Sequence, residues 1–262
     1  MGNLIKMDMR RLFISKVFYI SMAIVAALNI LMEAMGPILM KVFAPGKAIN
    51  PPDLSDLIIT PFSIPLLLVA LFISVINFSY ADMANGYIKN IAGQIPRKSD
   101  TIVSKFFVMG IHNLIFMLVG VLGVIIGNLI GGIFAGYTIK IDSQFFWGAA
   151  LTTLLIKWML TMAMSSILLF VTMGIKSKSL ASIVGVFLGT GALALVYLGL
   201  NTGISNLFKK EVNVTSFVPD QLFGSVNVAT GTYVLNAVIV GLVCIALFLG
   251  LTIKVFNSRD IK

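Results

Sequence analysis

Side chains able to do chemistry are sparse in this 262-residue sequence, and their spacing excludes most enzymes. His112 is the only histidine, so neither a multi-histidine metal site nor an H-E-x-x-H zinc protease can be assembled, and no metal is expected. Cys244 is the only cysteine and sits in an apolar run, which rules out an intrachain disulfide and favours a packing role. There is no G-x-S-x-G nucleophile elbow. There is also no G-x-x-x-x-G-K-[ST] loop, so the chain does not hold ATP in the P-loop manner. No catalytic residue and no enzymatic activity are expected. Away from their ends the apolar stretches carry two charges, Glu33 and Lys157, and an ionisable group at membrane depth is a functional candidate by default. Both are candidate pathway residues. No series of Asp, Glu or His crosses the apolar segments as a proton relay would.

Positioning these residues falls to apolar elements. Hydrophobic residues make up 58% of the chain and charged ones 11%, against roughly 25% charged in a soluble domain, so water cannot surround it. Dividing the chain into apolar runs of about 20 residues gives six spans and a single transmembrane domain over 1–262. They cover about Val17–Met40, Phe62–Tyr80, Val103–Phe134, Phe145–Met173, Leu180–Leu200 and Tyr233–Phe256. The fold class is therefore an all-α integral membrane protein with six transmembrane helices. Span three is long and rich in glycine, so it is expected to tilt, break or extend past the bilayer. Residues 1–16 precede the first span. There Leu4, Ile5, Met9, Leu12 and Phe13 recur at helical spacing opposite the charges, predicting an interfacial helix. His112 falls early in span three, near the cytoplasmic face.

Charge sets the orientation. Thirteen lysines and arginines fall in the amino-terminal head, the 81–105 region, Lys176/Lys178 and the carboxy-terminal tail; five fall in the alternate loops, and Lys157 lies within a span. By the positive-inside rule both termini are cytoplasmic, and residues 201–231 form an extracellular segment. The net charge of +9 is thus a property of loops facing anionic lipid, with no nucleic-acid partner implied. Gly123, Gly127 and Gly131 repeat at every fourth position in span three, as do Gly185 and Gly189 in span five. Such small-residue spacing lets two helix backbones approach closely.

Residues 81–101 form a cytoplasmic connection too long for a hairpin and too short for a domain. Asp82 opens it, Asn85-Gly86 favours a turn, Tyr87, Ile88 and Ile91 mark a short amphipathic helix, and Lys89 lies among them. Pro96 stops that helix, Arg97 and Lys98 follow, and Ser99 or Asp100 is placed to cap span three. An amphipathic helix with a basic rim is the kind of element that seats in a groove of a partner protein. Asp82, Gly86, Tyr87–Ile91, Pro96-Arg97 and the following Lys105 resemble the equivalent loop of ABC transporter permeases of the type-2 exporter class. That family more often has glutamate where this chain has Asp82. The resemblance implies a coupling segment made of Asp82, Gly86, Tyr87, Ile88, Lys89, Ile91, Arg97 and Lys98.

The same resemblance implies a permease subunit in a bacterial cytoplasmic membrane, paired with an identical or paralogous second subunit. Separate ABC ATPase subunits would carry ATP and Mg, with no cofactor on this chain. Small bacterial members of this class serve in peptide, bacteriocin or antibiotic export and self-protection, so amphipathic peptides or hydrophobic antimicrobials are the implied cargo. A secondary transporter or channel working without an ATPase is the alternative that the residues leave open, with an intramembrane protease and a non-transporting sensor behind it.

Overall fold

Backbone amides and carbonyls inside a bilayer have no water to bond, so a chain this apolar must satisfy them within each segment. The computed structural model describes residues 1–44, 49–60, 62, 65–84, 97, 99–140, 147–209, 213–225 and 231–258. Among the described residues the elements are helices, and the only strand-like pairing is a single bridge between Asp53 and Lys140. In chain order they are α1 (Gly2–Ile14), α2 (Lys16–Phe43), α3 (Leu54–Ile59), α4 (Pro65–Ala84) and α5 (Ser99–Ala135). There follow α6 (Trp147–Leu169, continued by a π-helical turn over Phe170–Gly174), α7 (Lys178–Thr190), α8 (Ala194–Phe208), α9 (Pro219–Ser225) and α10 (Gly231–Asn257). Five helices, α2, α4, α5, α6 and α10, are long and apolar enough to cross a membrane, and the count is six if α7 and α8 form one broken span. The chain is an all-α, multi-pass membrane protein.

Span five departs from expectation. The run Leu180–Leu200, expected as one crossing, is bent by 80° between α7 and α8. Gly191 lies at the break with φ +68°, the left-handed conformation that ends helices and that glycine adopts without strain. Thr190 Oγ1 turns back to donate to Val186 O at 2.8 Å, spending its hydroxyl inside the last turn. The 13 residues of α7 reach only about 20 Å, less than a hydrocarbon core. Beyond the bend α8 continues to Phe208, so the part of the expected extracellular segment from Asn201 to Phe208 is helical. The rest of 201–231 contributes a short 3₁₀ turn (Val214–Phe217) and α9, whose Leu222 and Phe223 are buried.

Span three is one unbroken helix of 37 residues, about 55 Å long, so it extends well beyond a hydrocarbon core of about 30 Å. Span two begins at Pro65, the first helical position that proline favours, and runs on to Ala84. The connection expected over 81–101 is therefore shortened at both ends by helix. At the amino terminus α1 forms over Gly2–Ile14 and stops at Ser15, whose extended backbone separates it from α2. Its packed side holds Leu12 and also Asp8, while Phe13 is exposed.

Helix pairing follows the glycines. A Cβ on Gly127 would lie 2.8 Å from Ile30 O and 2.8 Å from Glu33 Cβ, and one on Gly123 would lie 2.9 Å from Asn29 Cβ. Gly131 faces Ala34 and Pro37, so α2 and α5 run parallel with their backbones in close approach. Gly189 likewise admits the backbone of Val69, its Cβ position falling 2.8 Å from Val69 N, and Gly185 faces Ile76; α7 thus runs antiparallel to α4. Met159 beside Gly241 and Phe170 against Phe248 set α10 parallel to α6.

Gly127→Leu must push α2 from α5 and is expected to lower stability by about 1–3 kcal/mol, the usual cost of overpacking. Gly199→Leu, at a position in α8 where a Cβ meets nothing within 4 Å, is the control. Equal unfolding midpoints of the two variants in detergent would contradict this pairing.

Candidate functional site

Two polar groups stand at opposite ends of α4, and a third lies between them. At the carboxy-terminal end Asp82 lies inside the last turn of α4 and is buried, 4% exposed, so it belongs to the bundle rather than to the loop it was expected to open. Arg11 Nη1 of α1 donates to its Oδ1 at 2.8 Å, and Lys105 Nζ of α5 stands 2.8 Å from its Oδ2. The lysine approach is off hydrogen-bonding geometry and is an ion pair held by charge. Lys105 is fully buried, its ammonium also lying 4.6 Å from the Phe78 ring centroid. Asp8 joins from α1, accepting from Ser104 Oγ at 2.6 Å with Arg11 4.0 Å away. Two carboxylates and two cations thus neutralise one another where removal from water costs several kcal/mol per ion.

This quartet ties α1 to both helices that border residues 85–98. Arg97 is exposed, and its carbonyl accepts from Asp100 N at 3.0 Å as α5 begins. Gly86, Tyr87, Ile88, Lys89, Ile91 and Lys98 lie outside the described residues. The sequence reading missed Asp8, although it is the one acid in an otherwise basic head. An acid at i with Arg11 at i+3 and Leu12 at i+4 was the available sign that this face is buried.

At mid-depth, a buried chain of hydrogen bonds crosses three helices. His112 Nε2 lies 2.8 Å from Ser74 Oγ, and Nδ1 lies 3.0 Å from Asn113 Oδ1. Asn113 Nδ2 donates to Ser165 Oγ at 2.9 Å. With the amide nitrogen committed to Ser165, Oδ1 is the acceptor that faces the ring. The imidazole therefore donates from Nδ1 and accepts the Ser74 hydroxyl at Nε2. His112 is fully buried, level with Ser74 in the middle of α4 and with Phe18 at the start of α2, whose ring centroid lies 5.4 Å away.

At the amino-terminal end of α4 lies Lys157. Its Nζ donates to Ile59 O at 2.7 Å, where α3 ends, and sits 5.4 Å from the Phe223 ring centroid. Ten residues precede Lys157 in α6, and at this point the helix stands level with the start of α4. A cavity of about 430 Å³ opens beside it, bounded by Pro65, Leu68, Gly189–Gly191, Phe223 and Asp220. Asp220 accepts from Tyr197 Oη at 3.3 Å and Gln221 Nε2 at 3.1 Å, and burial pushes its carboxyl above the ordinary value. Glu33, the other expected pathway residue, is elsewhere. It accepts from Asn128 Nδ2 at 2.9 Å between α2 and α5, and it does not line the Lys157 cavity.

No family model matches the sequence, and no curated protein matches it.

The quartet makes a contrast testable. Asp82→Asn leaves Lys105 buried beside a neutral group and is expected to cost about 3–5 kcal/mol, with Asp82→Asn/Lys105→Met recovering much of it. Burial raises the Asp8 carboxyl from its ordinary 3.8, against the weaker opposing pull of Lys105 and Ser104. A raised carboxyl binds its proton more tightly in the folded state, so ionised Asp8 subtracts from stability at neutral pH and stops doing so as the pH falls through the raised value. Asp8→Asn is therefore expected to be mild at pH 7. Equilibrium unfolding in detergent separates the two, and equal losses would refute the assignment.

Proposed function

We propose that this chain is the membrane-spanning permease subunit of an ATP-driven exporter, working as a dimer above separate ATPase subunits. Both termini and residues 85–98 face the cytoplasm, the chain crosses the membrane six times with α7–α8 as a broken fifth span, and the setting is a bacterial cytoplasmic membrane. Tyr87, Ile88 and Ile91 seat on the ATPase with Lys89, Arg97 and Lys98 at the rim, and Gly86 allows the turn before them.

One observation carries this reading: the ion quartet fastens the amino-terminal helix to both helices that flank the segment. A force delivered to residues 85–98 by a nucleotide-driven partner would reach α4, α5 and α1 together. Buried, mutually paired charges tolerate little relative sliding, because separating them strands an ion in a low-dielectric interior. The three helices would respond as one body at the end that carries the segment. A change of access needs such a body, since ligand and nucleotide shift the balance only through states that differ discretely. Apolar, aromatic spans fit an amphipathic peptide or hydrophobic antimicrobial better than a sugar or an ion.

Affinity purification of the tagged chain in mild detergent is expected to bring down a P-loop ATPase in comparable amount. Arg97→Glu/Lys98→Glu, or Tyr87→Pro, should abolish transport-coupled ATP hydrolysis while membrane insertion stays intact. Purification of the chain alone from its own host, with transport that persists without ATP, would favour a secondary transporter instead.

A further inference from the structure

The cavity at the amino-terminal end of α4 has the composition of a ligand site. Its floor contains Lys157, whose residue is 8% exposed, and Asp220, also 8% exposed; its rim at Pro65, Thr190 and Gly224 is exposed. Lys157 spends one of three N–H donors on Ile59 O, leaving two. No described carboxylate lies within 4.0 Å of its ammonium, so the two buried opposite charges share a cavity without pairing. A buried charge left uncompensated is costly, and an occupant bearing both signs would relieve both walls at once.

Depth narrows the choice. The 20 residues of α4 span about 30 Å, one hydrocarbon thickness, with the ion quartet at one end and this cavity at the other. With α4 taken as the crossing that sets the hydrocarbon thickness, the cavity falls at the level of lipid headgroups. Leu68, Leu188 and Phe223 offer an apolar wall beside the charges, and about 430 Å³ is within the range of small-molecule sites.

We propose that this cavity binds the headgroup of a zwitterionic phospholipid, with Lys157 donating to a phosphate oxygen and Asp220 receiving the headgroup ammonium. The lipid's first chain carbons lie against Leu68, Leu188 and Phe223. The site is independent of ATPase coupling and would stand if the permease reading fell.

The test uses the full-length chain, delipidated in detergent, with binding read by native mass spectrometry and by lipid-dependent thermal stability. Phosphatidylethanolamine is expected to bind at least tenfold more tightly than phosphatidylglycerol, and diacylglycerol or free phosphoethanolamine not measurably. Net charge alone would give the reverse order, because a chain of +9 prefers the anionic lipid. Lys157→Gln should lose the affinity, Asp220→Asn should erase the preference between the two phospholipids, and Lys6→Gln, on exposed α1 surface, should change neither. Lys157→Gln also removes the contact to Ile59, so a folding defect would mimic lost affinity. Gly224→Trp then decides: Gly224 lines the cavity, a Cβ there meets nothing within 4 Å, and the substitution crowds the site while leaving both Lys157 and Ile59 in the chain. Phosphatidylglycerol binding as well as phosphatidylethanolamine, free phosphoethanolamine binding as well as the lipid, or undiminished binding by Gly224→Trp would overturn the proposal.

Discussion

The length of α4 governs where charge can sit in this molecule. Twenty residues make a helix of about one hydrocarbon thickness, and the buried ions of the bundle lie at its two ends. At one end Asp82 collects Arg11 and Lys105; at the other, Lys157 meets the last carbonyl of α3 and a polar cavity. Between them the polar groups are neutral ones, hydrogen-bonded from Ser74 through His112 and Asn113 to Ser165. Ions are held where they can pair or approach water, while the middle accepts only uncharged donors and acceptors.

Association of the helices cannot draw on hydrophobic burial, because lipid tails solvate leucine as well as a neighbouring helix does. Close backbone contact replaces it. The α2–α5 seam is tightest at Gly127 and the α4–α7 seam at Gly189, where an added methyl carbon would fall 2.8 Å from backbone atoms of the facing helix. Dispersion gained along such seams depends on fit, so the two helices of each pair hold their register. Polar links then join the pairs. The His112 chain ties α4 to α5 and α6, and Trp158 Nε1 donates to Gly110 O at 2.9 Å between the last two.

Motion has a natural division in this arrangement. α1, α4 and the start of α5 are locked by ions whose separation would strand buried charge. The α2–α5 seam adds the Glu33–Asn128 hydrogen bond to its glycine contacts, and the α4–α7 seam rests on Gly185 and Gly189. The left-handed turn at Gly191 and the 80° bend beside it place a break in the backbone directly above the Lys157 cavity. Displacement of α8 about that turn would alter the cavity wall before it disturbed the core.

Much of the architecture was legible in the sequence. Apolar runs long enough for a bilayer located α2, α4, α5, α6 and α10 to within a few residues, because hydrocarbon thickness and helical rise leave little freedom. The amphipathic head gave α1, and the glycine spacing marked the faces that now touch other helices. What sequence periodicity could not supply was the partner of each polar residue. Lys105 and Asp82 read as loop charges until α4 and α5 brought them within 2.8 Å, and Asp8 was hidden among basic neighbours. Nor did spacing show that His112 would meet Ser74, or that Lys157 would meet the carbonyl of Ile59. The break in span five was signalled only by Gly189-Thr190-Gly191, a pattern equally suited to close packing. Local chemistry determined which segments are helical and buried in lipid. Tertiary contact decided which charges neutralise one another, since ion pairs between residues 71 positions apart, such as Arg11 and Asp82, are set by packing and not by spacing.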